Sequence, residues 1–411
     1  MIAHTPSALS LPLRTPRFTP RAPVRAPLDD SPRFTTDGSL ELEQHLARIC
    51  EKIAAGVRGL VSSGRLEGLL LGGGYGRGEG GVLRAPGGDR PYNDLEFYVF
   101  LRGSRHLNEL RFGRALHALG EILTPQAGAE VEFKIASLRE LAASPVSMFS
   151  YDLVLGHRWI VGNDEMLAEC SHHFESARIP LAEATRLLMN RCSGLLFAKE
   201  RLERPVFTAS DADFVRRNIA KAQLALGDAV LVARGDYHWS VRERHRELER
   251  LARLDPTPWL DEVSRHHTAG VEFKLRPERS TASRNELATQ HSIVSARAKE
   301  IWFWLEEQRL HSTFASPHAY ATSPCNKWPE SATLRTVLVN LRALGWRPLR
   351  QGQAGRHPRG RILNAMTLLL WEPDTVTSRE HLRVVQRELQ THATSFRKVM
   401  HAYRELWSRV N

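Results

Sequence analysis

The chain has 411 residues, 42% of them hydrophobic and 25% charged, an ordinary soluble composition and enough length for two or three domains. Its 57 lysines and arginines against 46 acids leave a net charge of +11, which suits a polyanionic partner such as a nucleotide, nucleic acid or anionic surface without choosing among them. No apolar run reaches membrane-spanning length, and Cys50, Cys170, Cys192 and Cys325 stand too far apart for a zinc motif and fit a reducing, cytoplasmic setting.

Residues 1–36 carry Pro12, Pro16, Pro20, Pro23 and Pro27 among arginines, without hydrophobic periodicity. They predict a disordered tail, and the prolines argue against an amphipathic transit helix. Ser39 can cap a helix whose first turn holds Glu41 and Glu43. Leu42, Leu46, Ile49, Ile53, Val57 and Leu60 mark its buried face. Next comes Leu69-Leu70-Leu71, an apolar run that stops at Gly72-Gly73-Gly74-Tyr75-Gly76-Arg77-Gly78-Glu79. This reads as a buried strand entering a tight turn whose bare N–H groups can hold phosphate oxygens. The turn lacks the spacing of a P-loop. Gly76, Gly78 and Gly81 fit GxGxxG, but Ala85-Pro86-Gly87-Gly88-Asp89-Arg90-Pro91 cannot form the helix that a dinucleotide fold needs.

Residues 95–101 predict a second strand, with Phe97, Tyr98, Val99 and Phe100 favouring β. Side chains alternate along a strand, so Asp94 and Glu96 point the same way. Two adjacent carboxylates repel unless a cation lies between them, and hard oxygen ligands suit magnesium. A phosphate-holding turn beside paired carboxylates is the equipment of metal-assisted phosphoryl or nucleotidyl transfer. The competing reading is a glycine-rich hairpin with surface acids.

Gly73-Gly74-Tyr75-Gly76-Arg77-Gly78-Glu79 followed by Asp94-Leu95-Glu96 resembles the signature of the DNA polymerase β-like nucleotidyltransferase superfamily. Its small bacterial members include minimal nucleotidyltransferases and aminoglycoside adenylyltransferases. The resemblance is clearest over residues 66–165. It implies a nucleoside triphosphate, ATP being the one expected, bound at Gly73, Gly74 and Arg77. It also implies two Mg²⁺ ions held by Asp94, Glu96 and a third acid. Two features depart from the pattern. Gly74 stands where Ser is common, which removes a hydroxyl contact to phosphate. The loop between glycines and acids is longer than in the minimal members.

Residues 106–123 predict a helix with Leu107, Leu110, Leu116, Leu119 and Ile122 on its apolar side. Glu130–Ile135 alternates, with Val131, Phe133 and Ile135 on one face and Glu130, Glu132 and Lys134 on the other. The resemblance implies that this strand supplies the third carboxylate. Glu132 fits the family's strand-and-turn pattern best, Glu130 is the alternative, and a plain solvent face is the reading without a site. Residues 151–162 read as a last strand.

From residue 178 the pattern turns to long helices, over 181–202 and 214–233. In the second, Arg217, Lys221 and Asp228 fall close to one face. The resemblance implies a helical domain that closes the nucleotide cleft and gives the triphosphate a basic residue, with Lys221 first and Arg217 second. Residues 236–250 predict an exposed, highly charged helix. Val271-Glu272-Phe273-Lys274 repeats residues 131–134 without wider similarity, and the pairs His172-His173 and His266-His267 lack metal-ligand partners. A helix over 289–310 carries Trp302 and Trp304. No acid occurs between Glu330 and Glu372, a window with seven arginines whose middle, around Gly352, Gly355, Pro358 and Gly360, reads as a loop. That loop is either a solvated linker or a binder of a phosphorylated acceptor or nucleic acid. Residues 378–410 predict one long helix.

The expected architecture is α+β. A small nucleotidyltransferase-type mixed sheet with flanking helices spans 37–165, and a mostly helical region spans 178–411, divisible into 178–254 and 255–411. The expected activity is transfer of a nucleoside monophosphate to a hydroxyl of a small molecule or protein side chain, with release of pyrophosphate. No specific nucleic acid and no membrane are expected as partners. The alternative is an inactive fold of the same type that binds nucleotide or scaffolds a partner.

Overall fold

A computed structural model describes residues 33–255, 257–346 and 355–410. The chain divides into two compact units. The first comprises the chain up to Glu183 together with Leu231–Arg279, and the second comprises Ala184–Val230 and Ser280 onward. Residues 231–279 therefore go with the sheet, whereas the sequence put the boundary between 165 and 178.

The first unit is built on a mixed four-stranded sheet of α+β character. Helix α1 (Leu40–Leu60) is capped by Ser39, as its sequence predicts, and leads to strand β1 (Leu66–Leu71). A one-turn helix, α2 (Gly73–Gly76), follows at once. A small ribbon of β2 (Val82–Leu83) and β3 (Arg90–Pro91) then precedes β4 (Leu95–Leu101). Helix α3 (Arg105–Ala127) crosses over to β5 (Val131–Ala136). Helices α4 (Leu138–Ala143) and α5 (Met148–Leu155) and strand β6 (Arg158–Val161) complete this part. The strand order is β5-β4-β1-β6, with β4 and β5 parallel and the other pairs antiparallel.

Alternation divides the strands between two cores. Leu69, Leu71, Phe97, Val99, Val131 and Ile135 pack on one face with Leu46, Ile53 and Val57 of α1 and Leu116 and Leu123 of α3. On the other face Leu70, Tyr98 and Phe100 meet Leu141 of α4 and Leu153 and Val154 of α5. Helix α8 (Val241–Leu254) and helix α9 (Pro258–Leu275) also belong to this unit.

The second unit is helical. It contains most of α6 (Leu181–Leu202) and α7 (Ala209–Arg234), then α10 (Arg284–Leu310), α11 (Pro317–Thr322), α12 (Thr333–Leu344), α13 (Pro358–Trp371), α14 (Arg379–Leu389) and α15 (Phe396–Val410). The fully buried Glu306 accepts hydrogen bonds from Thr185, Tyr320 and Arg309.

Several expectations need correction. Residues 151–155 are helical, because Ser147 and Ser150 form a reciprocal capping box that starts α5; only Arg158–Val161 is strand. In α3 the buried positions are Asn108, Phe112, Leu116, Gly120, Leu123 and Ala127, while Leu107, Leu110 and Ile122 are exposed. The charged helix α8 is amphipathic rather than fully exposed, burying Arg244, Leu248 and Leu251. The last helix is two helices, because Gln390 takes a left-handed conformation that ends α14. Pro358 and Gly360 are not in a loop: Pro358 opens α13, where its missing N–H costs nothing, and His357 caps it. Gly352, with Arg347 and Arg350, lies outside the described residues. Among the described residues no helix is long and apolar enough to cross a membrane.

Candidate active site

The glycine turn and the acids are brought together by the pairing of β1 with β4. Gly72 N donates to the Glu96 carbonyl oxygen at 2.9 Å, tying the end of β1 to the start of β4. Gly73 has φ +62°, a left-handed value natural to glycine, and a Cβ there would stand 3.6 Å from the Glu96 carboxyl carbon. The turn therefore lies directly against the Glu96 side chain. Gly76 must also lack a side chain, since its Cβ would come within 2.1 Å of the Leu71 carbonyl oxygen. The first amides of a helix have no carbonyl partner within it, so those of Gly73 and Gly74 look outside α2 for acceptors.

The register of β4 and β5 decides the acidic set. Glu96 and Glu132 are direct partners across the parallel pair, and Tyr98 and Lys134 are the next pair. Alternation places all four on the sheet face away from α1 and α3. Asp94 is exposed, just before β4 and two residues from Glu96. Glu130 is exposed just before β5, and its carbonyl accepts from Leu95 N at 2.7 Å. Glu132, the acid preferred from the sequence, is thus the one placed opposite Glu96.

Lys134 joins the two glutamates. Its Nζ is 3.1 Å from Glu96 Oε2 and 3.1 Å from Glu132 Oε2. Tyr98 OH donates to the same Glu96 oxygen at 3.0 Å, and Lys134 Nζ lies 5.6 Å from the centre of the Tyr98 ring. Burial alone would lower the Lys134 pKa, but Glu96 and Glu132 outweigh it and hold the ammonium above its ordinary value. Burial, followed by the Glu96 charge, likewise pushes the Tyr98 phenol up, so it stays a neutral donor.

The donor chemistry would suit magnesium, because Glu96 and Glu132 are paired carboxylates with hard oxygens and Asp94 stands two residues before Glu96, just outside the strand. The gathering is incomplete. Among the described residues no three His, Cys, Asp or Glu side chains form a metal-binding group, and the cation shared by the glutamates is Lys134.

Arg77 and Glu79 of the glycine signature are occupied elsewhere. The Arg77 guanidinium, 8% exposed, pairs with Asp152 at 2.9 Å rather than facing the turn, and Tyr237 OH donates to the same Asp152 oxygen at 3.2 Å. Arg244 in turn donates to Tyr237 OH at 2.6 Å. Glu79 accepts from Ser240 Oγ and Val241 N, at the N-terminus of α8. Glu79 ties the start of α8 to the turn directly and Arg77 reaches Tyr237 through Asp152, roles that sequence spacing does not show because the partners lie 75 to 162 residues away.

Arg217 and Lys221 belong to the second unit, where both are exposed on α7. Asp228 does not share their exposure. It is buried beside Arg191, since the C-terminal half of α7 is enclosed on nearly all sides.

Compared with family models, with curated proteins and with solved structures, the chain finds no match.

Proposed function

We propose that the chain is a nucleotidyltransferase of the DNA polymerase β-like type. It would transfer a nucleoside monophosphate from a nucleoside triphosphate, ATP by preference, to a hydroxyl of a small molecule or protein side chain. The observation that carries this reading is the in-register pair Glu96 and Glu132, with Gly73 lying against the Glu96 carboxylate. Asp94, Glu96 and Glu132 would hold two Mg²⁺ ions, which would neutralise triphosphate charge and make the acceptor hydroxyl more acidic.

The chain's own groups have separable tasks. The amides of Gly73 and Gly74 bind phosphate oxygens, and the absence of a side chain at Gly73 keeps that approach open. The acceptor oxygen attacks the α-phosphorus in line, and the bond from that phosphorus to the bridging oxygen breaks. Its electron pair leaves with pyrophosphate. The hydroxyl proton passes to a carboxylate or to solvent, and Glu132, where it does not hold the metal, is the candidate acceptor. Tyr98 keeps Glu96 oriented through its hydrogen bond.

The test is release of pyrophosphate from each of the four ribonucleoside triphosphates with Mg²⁺, with candidate acceptors supplied as aminoglycosides, sugars and protein extract. Release by the wild type and its loss in Asp94→Asn supports the reading. Failure of any Mg²⁺-nucleotide to bind overturns it. A second reading is favoured by the Lys134 bridge, which neutralises the glutamates without metal. In that reading the fold binds nucleotide or scaffolds a partner without turnover. Tight nucleotide binding with no pyrophosphate release from any acceptor would select it.

A further inference from the structure

We propose that Lys134 is an exchangeable internal cation: it holds Glu96 and Glu132 together in the nucleotide-free protein, yields them to magnesium, and then pairs with the incoming triphosphate. This rests on the nucleotidyltransferase reading and deepens it.

Metal binding at this pair would require an exchange. Lys134 Nζ stands 3.1 Å from one oxygen of each glutamate, in the space between two facing carboxylates. A divalent ion bound by the same pair could not share that space with an ammonium, because like charges a few ångströms apart repel strongly. Lys134 is able to move. Its side chain is 39% exposed, and a lysine carries its charge on a flexible four-carbon stem. Glu96 is not left unpartnered when it goes, since Tyr98 OH still donates to Oε2. Lys134 follows Glu132 by two residues on the same strand face, so its displaced head stays on the side of the sheet that the Glu96 carboxylate and the glycine turn share. A triphosphate is the anion the site is read to bind, and it would replace the lost carboxylate contacts of the ammonium.

The experiment uses the full chain and two probes: Mn²⁺ alone, followed by the free-ion spin-resonance signal, and Mn²⁺ with an ATP analogue whose α,β-bridge is methylene, followed by calorimetry. Four proteins are compared: wild type, Lys134→Met, Lys134→Arg and Asp94→Asn. A half-exposed pair of this kind corresponds to roughly a tenfold change in affinity. Lys134→Met should bind Mn²⁺ alone roughly tenfold more tightly than wild type, because the competing cation is gone. It should bind the Mn²⁺-analogue roughly tenfold more weakly, because a phosphate partner is gone. Lys134→Arg should stay near wild type in both, which separates charge from packing. Thermal unfolding adds a readout, because Lys134→Met should melt lower than wild type without metal and gain more from Mn²⁺. Opposite signs for the two probes support the proposal. Unchanged or weaker Mn²⁺ binding by Lys134→Met overturns it. If wild type binds the Mn²⁺-analogue, Asp94→Asn loses it and Lys134→Met is unchanged, the lysine role fails and the nucleotidyltransferase reading stands. If none of the four binds either probe, both fail.

Discussion

Ser240 Oγ donates to Glu79 Oε1 at 2.5 Å, although 161 residues separate them, and Val241 N donates to the other oxygen at 2.9 Å. A carboxylate from the glycine signature thus caps α8 from outside it, where the helix dipole favours negative charge. Glu79 is 1% exposed. Burial works against its charged form, but Ser240, Val241 and the fields of Arg77 and Lys274 outweigh burial and hold its carboxyl below the ordinary value. Charge-assisted hydrogen bonds of this kind are worth about 1.5–3 kcal/mol. Because the folded value is depressed, this stability is fully present above the unfolded carboxyl's pKa of about 4.3 and is lost as pH falls through the folded value. Glu79→Gln should melt lower than wild type at pH 7, and the gap should close under acid. Equal melting temperatures at pH 7 would remove the capping role.

Asp94→Asn should abolish pyrophosphate release while leaving the melting temperature within a degree or two of wild type. The side chain is exposed and supports no core, so its loss touches chemistry and not packing. Wild-type turnover in this variant would show that the acids before and within β4 are not the site.

The two glycines of the turn should separate folding from binding. A methyl at Gly76 would lie 2.1 Å from a backbone oxygen, which cannot move aside, so Gly76→Ala should fail to accumulate as folded protein. At Gly73 the nearest atom is 3.6 Å away, and the cost is the left-handed backbone, about 1–2 kcal/mol for an L-residue. Gly73→Ala should therefore fold with a lower melting temperature and bind nucleotide more weakly. A Gly73→Ala protein with wild-type nucleotide affinity, measured by calorimetry, would take the turn out of phosphate binding.

Lys221→Ala should weaken nucleotide binding roughly ten- to a hundredfold if Lys221 meets the triphosphate, the range for one charge-assisted contact. Lys221 and Arg217 are exposed one turn apart on α7. Unchanged affinity would dismiss Lys221, and Arg217→Ala would be the next variant.

The parts legible in the sequence were those set by local pattern. Ser39 with Leu42, Leu46, Ile49 and Ile53 announced α1, and the alternation of Val131, Phe133 and Ile135 announced β5. The parts missed depend on partners distant in the chain. Val-Glu-Phe-Lys is strand at 131–134, where it pairs with β4, and helix at 271–274, near the end of α9. A tetrapeptide cannot carry that difference, because strand preference largely expresses packing against neighbours. In α3 the leucines suggested one face, but the sheet takes the Phe112, Leu116 and Leu123 side. At the site, the shared strand face could be read for Glu132 with Lys134, whereas Asp94 stands just outside β4. The register that sets Glu132 opposite Glu96, and hence the Lys134 bridge, required the assembled sheet.

Nucleic acid should bind this chain weakly, despite its charge of +11. The basic, acid-free stretch 331–371 turns part of its charge inward. Arg361 is fully buried, and Arg356 pairs with the buried Glu388 at 3.0 Å. Its two aromatics do not form a stacking platform either, since Trp371 is buried while Trp346 is 69% exposed. Single-strand binders set several stacking aromatics among their basic residues. A protein that grips many phosphates also loses tenfold or more in affinity over a modest rise in salt. Anisotropy with a labelled single-stranded RNA and a labelled duplex DNA should therefore show binding only at low salt, gone near physiological ionic strength. Tight binding there, lost on neutralising Arg335 and Arg342 of α12, would turn this stretch into a recognition surface and make the acceptor a nucleic acid.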